Sequence, residues 1–344
     1  MELLGLSVEQ IREAIAPLGM PAFRAKQISL WMASGVTDFA DMTNLSNKDR
    51  ELLAQHHSVI GGSIESHRIS QKDGTEKFLF RFEDGAFAEG VLMQYKHGNS
   101  VCISSQSGCK MGCAFCASSK VNFTRNLTAG EMAYEVIAME AASGKKVGHI
   151  VLMGVGEPLD NYDNVLAFIR YINSPEGKNI GMRNISLSTC GIVPRIYDLT
   201  KEHMGITLSV SLHAPDDETR SKIMPINRRY SIKELMEACD YYFRETGRRI
   251  SYEYALIRGV NDSDESCDKL IKLLRGKNCH VNLIGLNYVK ESPLLPSDRM
   301  RNFCDRLNRA GINATVRRKL GEDIDGACGQ LRAEKNREEV KSKR

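Results

Sequence analysis

Apolar residues recur every three or four positions through the first 58 residues, as in Ile11, Ile15 and Leu18 and then Phe23, Ile28, Trp31 and Met32, with polar residues between them. This period predicts amphipathic helices, and so a small helical accessory domain over residues 1–58. From about Gly61 the period shortens to two. Glu76–Phe82 and Phe87–Tyr95 read as strands flanking the turn formers Glu83, Asp84 and Gly85, which predicts a β-hairpin extension over residues 59–98.

Beyond the hairpin, β-rich apolar runs alternate with helical stretches. The runs are Ser100–Ser105, His149–Val155, Ile185–Thr189, Ile206–Leu212, Ile250–Ile257, His280–Leu286 and Ala314–Arg317. Alternation of this kind predicts parallel βα units, an α/β class, and a partial (β/α) barrel as the core over residues 99–331. Ser231–Glu234 and Asp262–Glu265 both have the capping-box form ahead of an amphipathic stretch. The Lys-, Arg- and Glu-rich tail over residues 332–344 is expected to fray.

Chemistry in such folds gathers at the carboxyl ends of the strands. Cys109–Cys116, Gly154–Leu159, Ser188–Gly191, His213–Pro215 and Asn287 all fall there. The strongest of these motifs is Cys109, Cys113 and Cys116, a C-x3-C-x2-C triplet with Phe115 before the third cysteine. A [4Fe–4S] cube ordinarily takes four thiolates, so a triplet leaves one iron for another ligand. The alternative is a structural zinc site, which needs four ligands and typically pairs one C-x2-C with a second pair elsewhere. The chain has no such second pair. The triplet resembles that of the radical S-adenosylmethionine (SAM) superfamily, whose cofactor chelates the open iron.

Gly154 and Gly156 permit close backbone approach to a ligand or make a tight strand-to-helix turn, and Glu157 can accept from a ligand ammonium. A dinucleotide fingerprint fails here, because Glu157 and Pro158 stand where x-x-G should open a helix. Ser188, Ser211 and His213 offer hydroxyl and imidazole groups, and Asn287 an amide suited to an adenine edge, each with an alternative as a strand-end cap. Cys102 precedes the triplet by one short strand, and Cys328 sits in a glycine-flanked segment suited to a mobile nucleophile. Cys239, Cys267, Cys279 and Cys304 lie in amphipathic or apolar stretches and read as packing, while Cys190 is ambiguous. Glu89 reads either as an exposed strand carboxylate or as a base.

Composition narrows the setting. With 344 residues and 42% hydrophobic content the chain can bury a substantial core. No run approaches the roughly 18 apolar residues that span a bilayer, and no secretory pattern opens the chain, so it is expected to be cytoplasmic and away from membranes. Ten cysteines then suit metal binding or catalysis more than a disulfide framework. The net charge of +4 does not establish nucleic-acid binding. The basic clusters at Arg228-Arg229, Arg248-Arg249, Arg317-Arg318-Lys319 and along the tail would form a phosphate-facing surface only if the fold unites them.

Taken together, Cys102-Ile-Ser-Ser-Gln106, the triplet, Gly156-Glu-Pro-Leu159, Ser211-Leu-His-Ala-Pro215, Met224-Pro-Ile-Asn227, Gly259-Val-Asn-Asp262 and Asp323-Ile-Asp-Gly-Ala-Cys-Gly-Gln-Leu331 resemble one family throughout, from Phe23 to Leu331. It is that of the dual-specificity RNA methyltransferases acting on adenine C2. The resemblance implies a radical-SAM partial barrel with an N-terminal RNA-associated domain. The substrates it implies are adenosine 2503 of 23S rRNA and adenosine 37 of certain tRNAs. It further implies one [4Fe–4S] cluster on Cys109, Cys113 and Cys116, and SAM contacts at Gly156, Glu157, Ser188, Ser211, Leu212, His213 and Asn287. A flavodoxin-like electron donor and a monomeric enzyme are the family expectation.

The resemblance also assigns steps. Cys328 takes a methyl from one SAM; a second SAM is cleaved on the cluster, and the radical so formed removes hydrogen from the S-methyl group. The carbon radical adds to adenine C2. Glu89 then removes the C2 proton and Cys102 attacks Cys328, releasing the RNA and leaving a transient Cys102–Cys328 disulfide. Gly326 departs from the family's usual alanine, which should loosen the Cys328 loop. Two rivals remain: the adenine-C8 resistance methyltransferase, from which Pro158 and Asn161-Tyr-Asp-Asn164 point away, and a metal-containing RNA-binding protein without turnover, which would need neither Cys102 nor Cys328.

Overall fold

The computed structural model describes residues 1–96, 98–286 and 293–324. Three helices open the chain: α1 (Val8–Ile15), α2 (Arg24–Ala33) and α3 (Asn47–His56). Ser7 and Gln10 cap α1 reciprocally, and the Ser46 hydroxyl caps α3. Ile11, Ile15, Ile28 and Met32 are buried as their spacing predicts. Phe23 is not. It precedes α2, off that helix's buried face, and is 60% exposed. The opening segment packs tightly on the start of α4 (Ala129–Ser143): a Cβ on Gly130 would lie 2.3 Å from the Leu4 carbonyl oxygen.

Four strands follow as an antiparallel meander: β1 (Gly62–Ile69), β2 (Glu76–Phe82), β3 (Phe87–Tyr95) and β4 (Gly98–Cys102). The predicted hairpin is β2–β3. Sequence periodicity did not delimit β1, because this edge strand is largely exposed and carries little apolar signal. A two-stranded ribbon, β5 (Gln106–Ser107) with β6 (Arg125–Asn126), stands apart from the main sheet.

Six parallel strands extend the sheet beyond β4: β7 (Val147–Leu152), β8 (Ile185–Thr189), β9 (Thr207–Ser211), β10 (Ile250–Leu256), β11 (Cys279–Gly285) and β12 (Ala314–Val316). Spatial order equals chain order, β1-β2-β3-β4-β7-β8-β9-β10-β11-β12, so each crossover places its strand at the same growing edge. A doubly wound sheet would reverse direction at a switch point. This one winds in a single sense, as a barrel does, and among the described residues its two edges do not pair.

The crossovers carry α4, α5 (Tyr162–Asn173), α6 (Val193–Lys201), α7 (Asp217–Ile223), α8 (Ile232–Thr246) and α9 (Asp264–Leu274), with α10 (Met300–Arg309) ahead of β12. Ser231 and Glu234 form the predicted capping box on α8. The box expected at Asp262–Glu265 does not form. Ser263 caps α9, and the Asp262 carboxylate accepts instead from Gly259 N–H (2.8 Å) and the Ser297 hydroxyl (2.6 Å), closing the loop after β10. Among the described residues no helix is long and apolar enough to cross a membrane.

Register divides the sheet into two unlike faces. Phe78, Phe80, Leu92, Val101, Ile150, Leu187, Leu208, Val210, Tyr252, Tyr254, Val281 and Leu283 occupy one face and join the helices in a single core. The other face carries Lys77, Glu89, Cys102, Ser188, Ser209, Ser211, Ser251, Glu253 and Asn282. Because side chains alternate along a strand, a parallel sheet buried on one face by helices can keep the other polar and line an interior with it. After β12 the chain crosses to the β1–β2 turn. There the Ser70 hydroxyl and Gln71 N–H donate to Asp323 (2.6 and 2.9 Å), and Gly321 N–H donates to Asp73 (2.8 Å).

Candidate active site

Cys109, Cys113 and Cys116 ride on one loop after β5. Cys113 is buried and the other two are half-buried. Gly112 turns the loop at φ +70°, Ala114 N–H donates to the Ile223 carbonyl at the end of α7 (2.9 Å), and the Ser119 hydroxyl donates to the carbonyls of Cys113 (2.9 Å) and Cys116 (2.7 Å). The floor is apolar, with Cys113 packed among Cys190, Ala214, Ile223, Met224, Ile257 and Leu286. Burial pushes the Cys109 thiol up to about 11 and Cys113 higher still, and the charges of neighbouring cysteines add to both.

No three His, Cys, Asp or Glu side chains among the described residues are grouped to share one metal ion. What fits a cluster is the donor chemistry: three soft thiols on one loop, Cys113 and Cys116 of them against an apolar floor, whose mutual repulsion as thiolates a cationic iron–sulfur core would relieve.

Behind the loop lies a frame of polar side chains that bond almost wholly to backbone. Glu157 is buried; its carboxylate accepts from Leu159 N–H (3.0 Å) and Cys190 N–H (2.7 Å), tying the end of β7 to the end of β8. Burial pushes its carboxyl up, and those N–H groups oppose the shift. The glycines beside it serve the protein's own chain. A Cβ on Gly154 would lie 2.5 Å from the Ile103 carbonyl, and one on Gly156 2.7 Å from Gln106 Cβ. Strand-end packing by itself therefore calls for glycine at both positions.

Ser188 and Ser211 are half-buried on the polar face. Leu212 is fully buried, and its carbonyl accepts from Arg220 Nε (3.0 Å). His213 is buried with φ +52°, its Nδ1 accepts from Ala255 N–H (2.9 Å), and its ring meets Phe115 edge-on at 4.7 Å. Burial, helped by the charge of Arg220, holds this imidazole down at about 3, so it stays neutral. Asn287 and Cys328 lie outside the described residues.

Glu89 is buried, not exposed as an isolated strand carboxylate would be, and its Oε2 lies 3.9 Å from Nζ of the equally buried Lys77. Ser104 links this pair to α4: its hydroxyl donates to the Glu89 carbonyl (2.8 Å) and its N–H donates to Glu135 Oε2 (3.1 Å). Burial, reinforced by the charges of Glu131 and Glu89, holds the Glu135 carboxyl well above the usual range. Cys102 is buried at the end of β4 with Val91 and Met93, and Leu320 packs against that group. The chain after β12 therefore packs at Leu320 against the group that holds Cys102.

Three frame residues escaped the sequence. Arg220 sits in the polar run of α7 and Lys77 beside Glu76 in an apolar strand, and neither has a local signal of burial. Asn261 had one, its place in Gly259-Val-Asn-Asp262. Fully buried, it donates to the carbonyls of His213 and Ala255 (both 2.7 Å) and accepts from Ile257 N–H (2.7 Å). Two of the basic clusters lie apart: Arg248 bonds the Ile206 carbonyl at the amino ends of the strands, whereas Arg228 and Arg229 follow α7, and the basic tail lies outside the described residues.

A singly wound sheet with a three-cysteine loop at its carboxyl end defines the radical SAM class. The family model described as "Radical SAM superfamily" matches residues 103–271, and that described as "Ribosomal RNA large subunit methyltransferase N-terminal domain" matches residues 1–59. The crystal structure of a radical SAM methyltransferase from Sphaerobacter thermophilus superposes with a TM-score of 0.92 at 44% identity, covering 96% of this chain and 98% of that one. The "Probable dual-specificity RNA methyltransferase RlmN" of Lachnoclostridium phytofermentans is 50% identical over 96% of this chain and 94% of its own length. The protein of the same description from Clostridium acetobutylicum is 49% identical over 96% of each. The chain belongs to the RlmN family of dual-specificity RNA methyltransferases.

Proposed function

We propose that this protein methylates C2 of adenine in 23S rRNA and in tRNA through an S-methylcysteine at Cys328. The observation that carries this reading is the shared sheet face of Glu89 and Cys102, with Leu320, eight residues before Cys328, packed against the apolar group that holds Cys102.

Cys109, Cys113 and Cys116 would hold the [4Fe–4S] cluster, and Gly156, Glu157, Ser188, Ser211, Leu212, His213 and Asn287 would hold SAM. When bound, this pair supplies the one-electron chemistry needed at an sp2 carbon that has no nucleophilic lone pair, with electrons from a flavodoxin-like donor.

The chain's own residues do the rest. Cys328, as a thiolate, accepts a methyl group and becomes the carbon carrier, then stays bonded through that carbon to adenine C2. Lys77 positions Glu89, which removes the C2 proton. The Cys102 thiolate attacks the Cys328 sulfur; the C–S bond breaks with its electron pair left on the carbon, which takes up a proton and becomes the methyl group, the methylated RNA leaves, and a Cys102–Cys328 disulfide remains to be reduced by two electrons. In the Cys102→Ala variant the covalent protein–RNA species should accumulate as a retarded band on a denaturing gel. A single band of unmodified protein after incubation with SAM, reductant and RNA would remove Cys102 from this role.

A further inference from the structure

Arg220 is 0% exposed, yet it ion-pairs with no carboxylate among the described residues. Its guanidinium is held by four oxygens: the carbonyls of Cys190 (2.7 Å), Ser211 (2.9 Å) and Leu212 (3.0 Å), and Asn227 Oδ1 (3.1 Å). Asn227 is itself fixed, donating to the Asp217 carboxylate (3.0 Å) and the Ser221 hydroxyl (2.8 Å). A guanidinium kept from water with only neutral acceptors is costly unless an opposite charge lies close by. One opposite charge, Asp217, reaches Arg220 only through Asn227; a second place for one lies at the cysteine loop. Arg220 projects from α7, whose terminal carbonyl at Ile223 receives the N–H of Ala114, inside the cysteine triplet. Ile223, Cys113 and Cys190 pack in one apolar group, where charge is poorly screened. The guanidinium itself donates to the carbonyl of Cys190, the residue packed against Cys113.

We propose that Arg220 is a positioning residue for the triplet's cluster, a resident counter-cation that makes it easier to reduce. The inference rests on the cluster reading above. An oxidised [4Fe–4S] core of charge +2 with three thiolates carries −1, and one electron from an external donor takes it to −2, without a proton. A fixed positive charge stabilises the second state more than the first and so raises the potential. The four-oxygen bracket keeps that charge in place as the electron arrives. A role confined to joining the ends of β8 and β9 would depend on the bracket's hydrogen bonds and not on its charge.

The test compares the full-length protein with its Arg220→Gln and Arg220→Lys variants, each reconstituted anaerobically with iron and sulfide. Iron and sulfide content is measured first, then the midpoint potential by dye-mediated titration monitored by electron paramagnetic resonance. Wild-type protein that takes up no cluster would overturn the cluster reading itself. With the cluster present, Arg220→Gln should show a midpoint shifted to more negative potential, while Arg220→Lys, which keeps the charge and loses the planar bracket, should stay near wild type. A wild-type midpoint in Arg220→Gln overturns the proposal, as does a negative shift in Arg220→Lys as large as that in Arg220→Gln. If Arg220→Gln fails to hold a cluster, Arg220→Lys decides alone: a wild-type midpoint supports the charge role and a negative shift refutes it.

Discussion

The cysteine loop and the strand-end frame behind it meet at Cys113 and Ile223, yet they are built on opposite plans. In the frame, Glu157, Arg220, Asn261 and the backbone of the β7 to β10 ends saturate one another with hydrogen bonds. In the loop, three thiols follow one another along one turn of chain, Cys113 and Cys116 against an apolar floor, and burial and neighbouring charge push the Cys109 and Cys113 thiols up. The difference separates what folding completes from what binding completes. Polar groups that close on themselves make a rigid seat before any ligand arrives, whereas a donor set under electrostatic pressure is finished by the cofactor it holds.

The sharpest way to break this contrast is to cut each region once. Asn261→Ala removes three side-chain hydrogen bonds, leaving Ile257 N–H without its acceptor and the His213 and Ala255 carbonyls without this donor, so urea unfolding of the apoprotein should show a loss of about 3–5 kcal/mol. Cys113→Ala, equally central to the site, should cost the apoprotein only about 1 kcal/mol while abolishing cluster uptake. Comparable losses from the two would erase the distinction.

A smaller effect probes the frame through His213. Its folded imidazole protonates only near 3, well below its ordinary value of 6.5. Between those values the unfolded chain binds a proton that the folded chain does not, so stability falls as pH drops from 6.5 towards 3. His213→Asn suits the left-handed backbone there and cannot titrate. Its unfolding free energy should therefore fall less than that of wild type between pH 7 and pH 5, by about 2 kcal/mol. Equal slopes would show that His213 is not held neutral by burial.

The two regions also differ in how far the sequence revealed them. The triplet was legible because its ligands are local: seven residues of spacing carry the chemistry, and the hydrophobic periods before and after it located the βα units. The frame was not, because its logic is long-range. Arg220 reads as one more charge in a polar helix until β8 and β9 bring three carbonyls to it. Lys77 and Glu89 become a buried pair only once β2 and β3 align. Ser188 and Ser211, each ambiguous alone, acquire meaning from a shared face that register alone fixes. Asp262 shows the converse, a valid local capping signal overridden when Gly259 and Ser297 compete for the same carboxylate.

The most direct measurement is the product. Anaerobically reconstituted, reduced protein would be incubated with SAM and a 23S rRNA fragment, the RNA digested, and the methyladenosine isomers resolved by mass spectrometry against standards. 2-Methyladenosine is the predicted product. 8-Methyladenosine, or cleavage of SAM over an intact cluster with no methylated adenosine, would contradict methylation at C2.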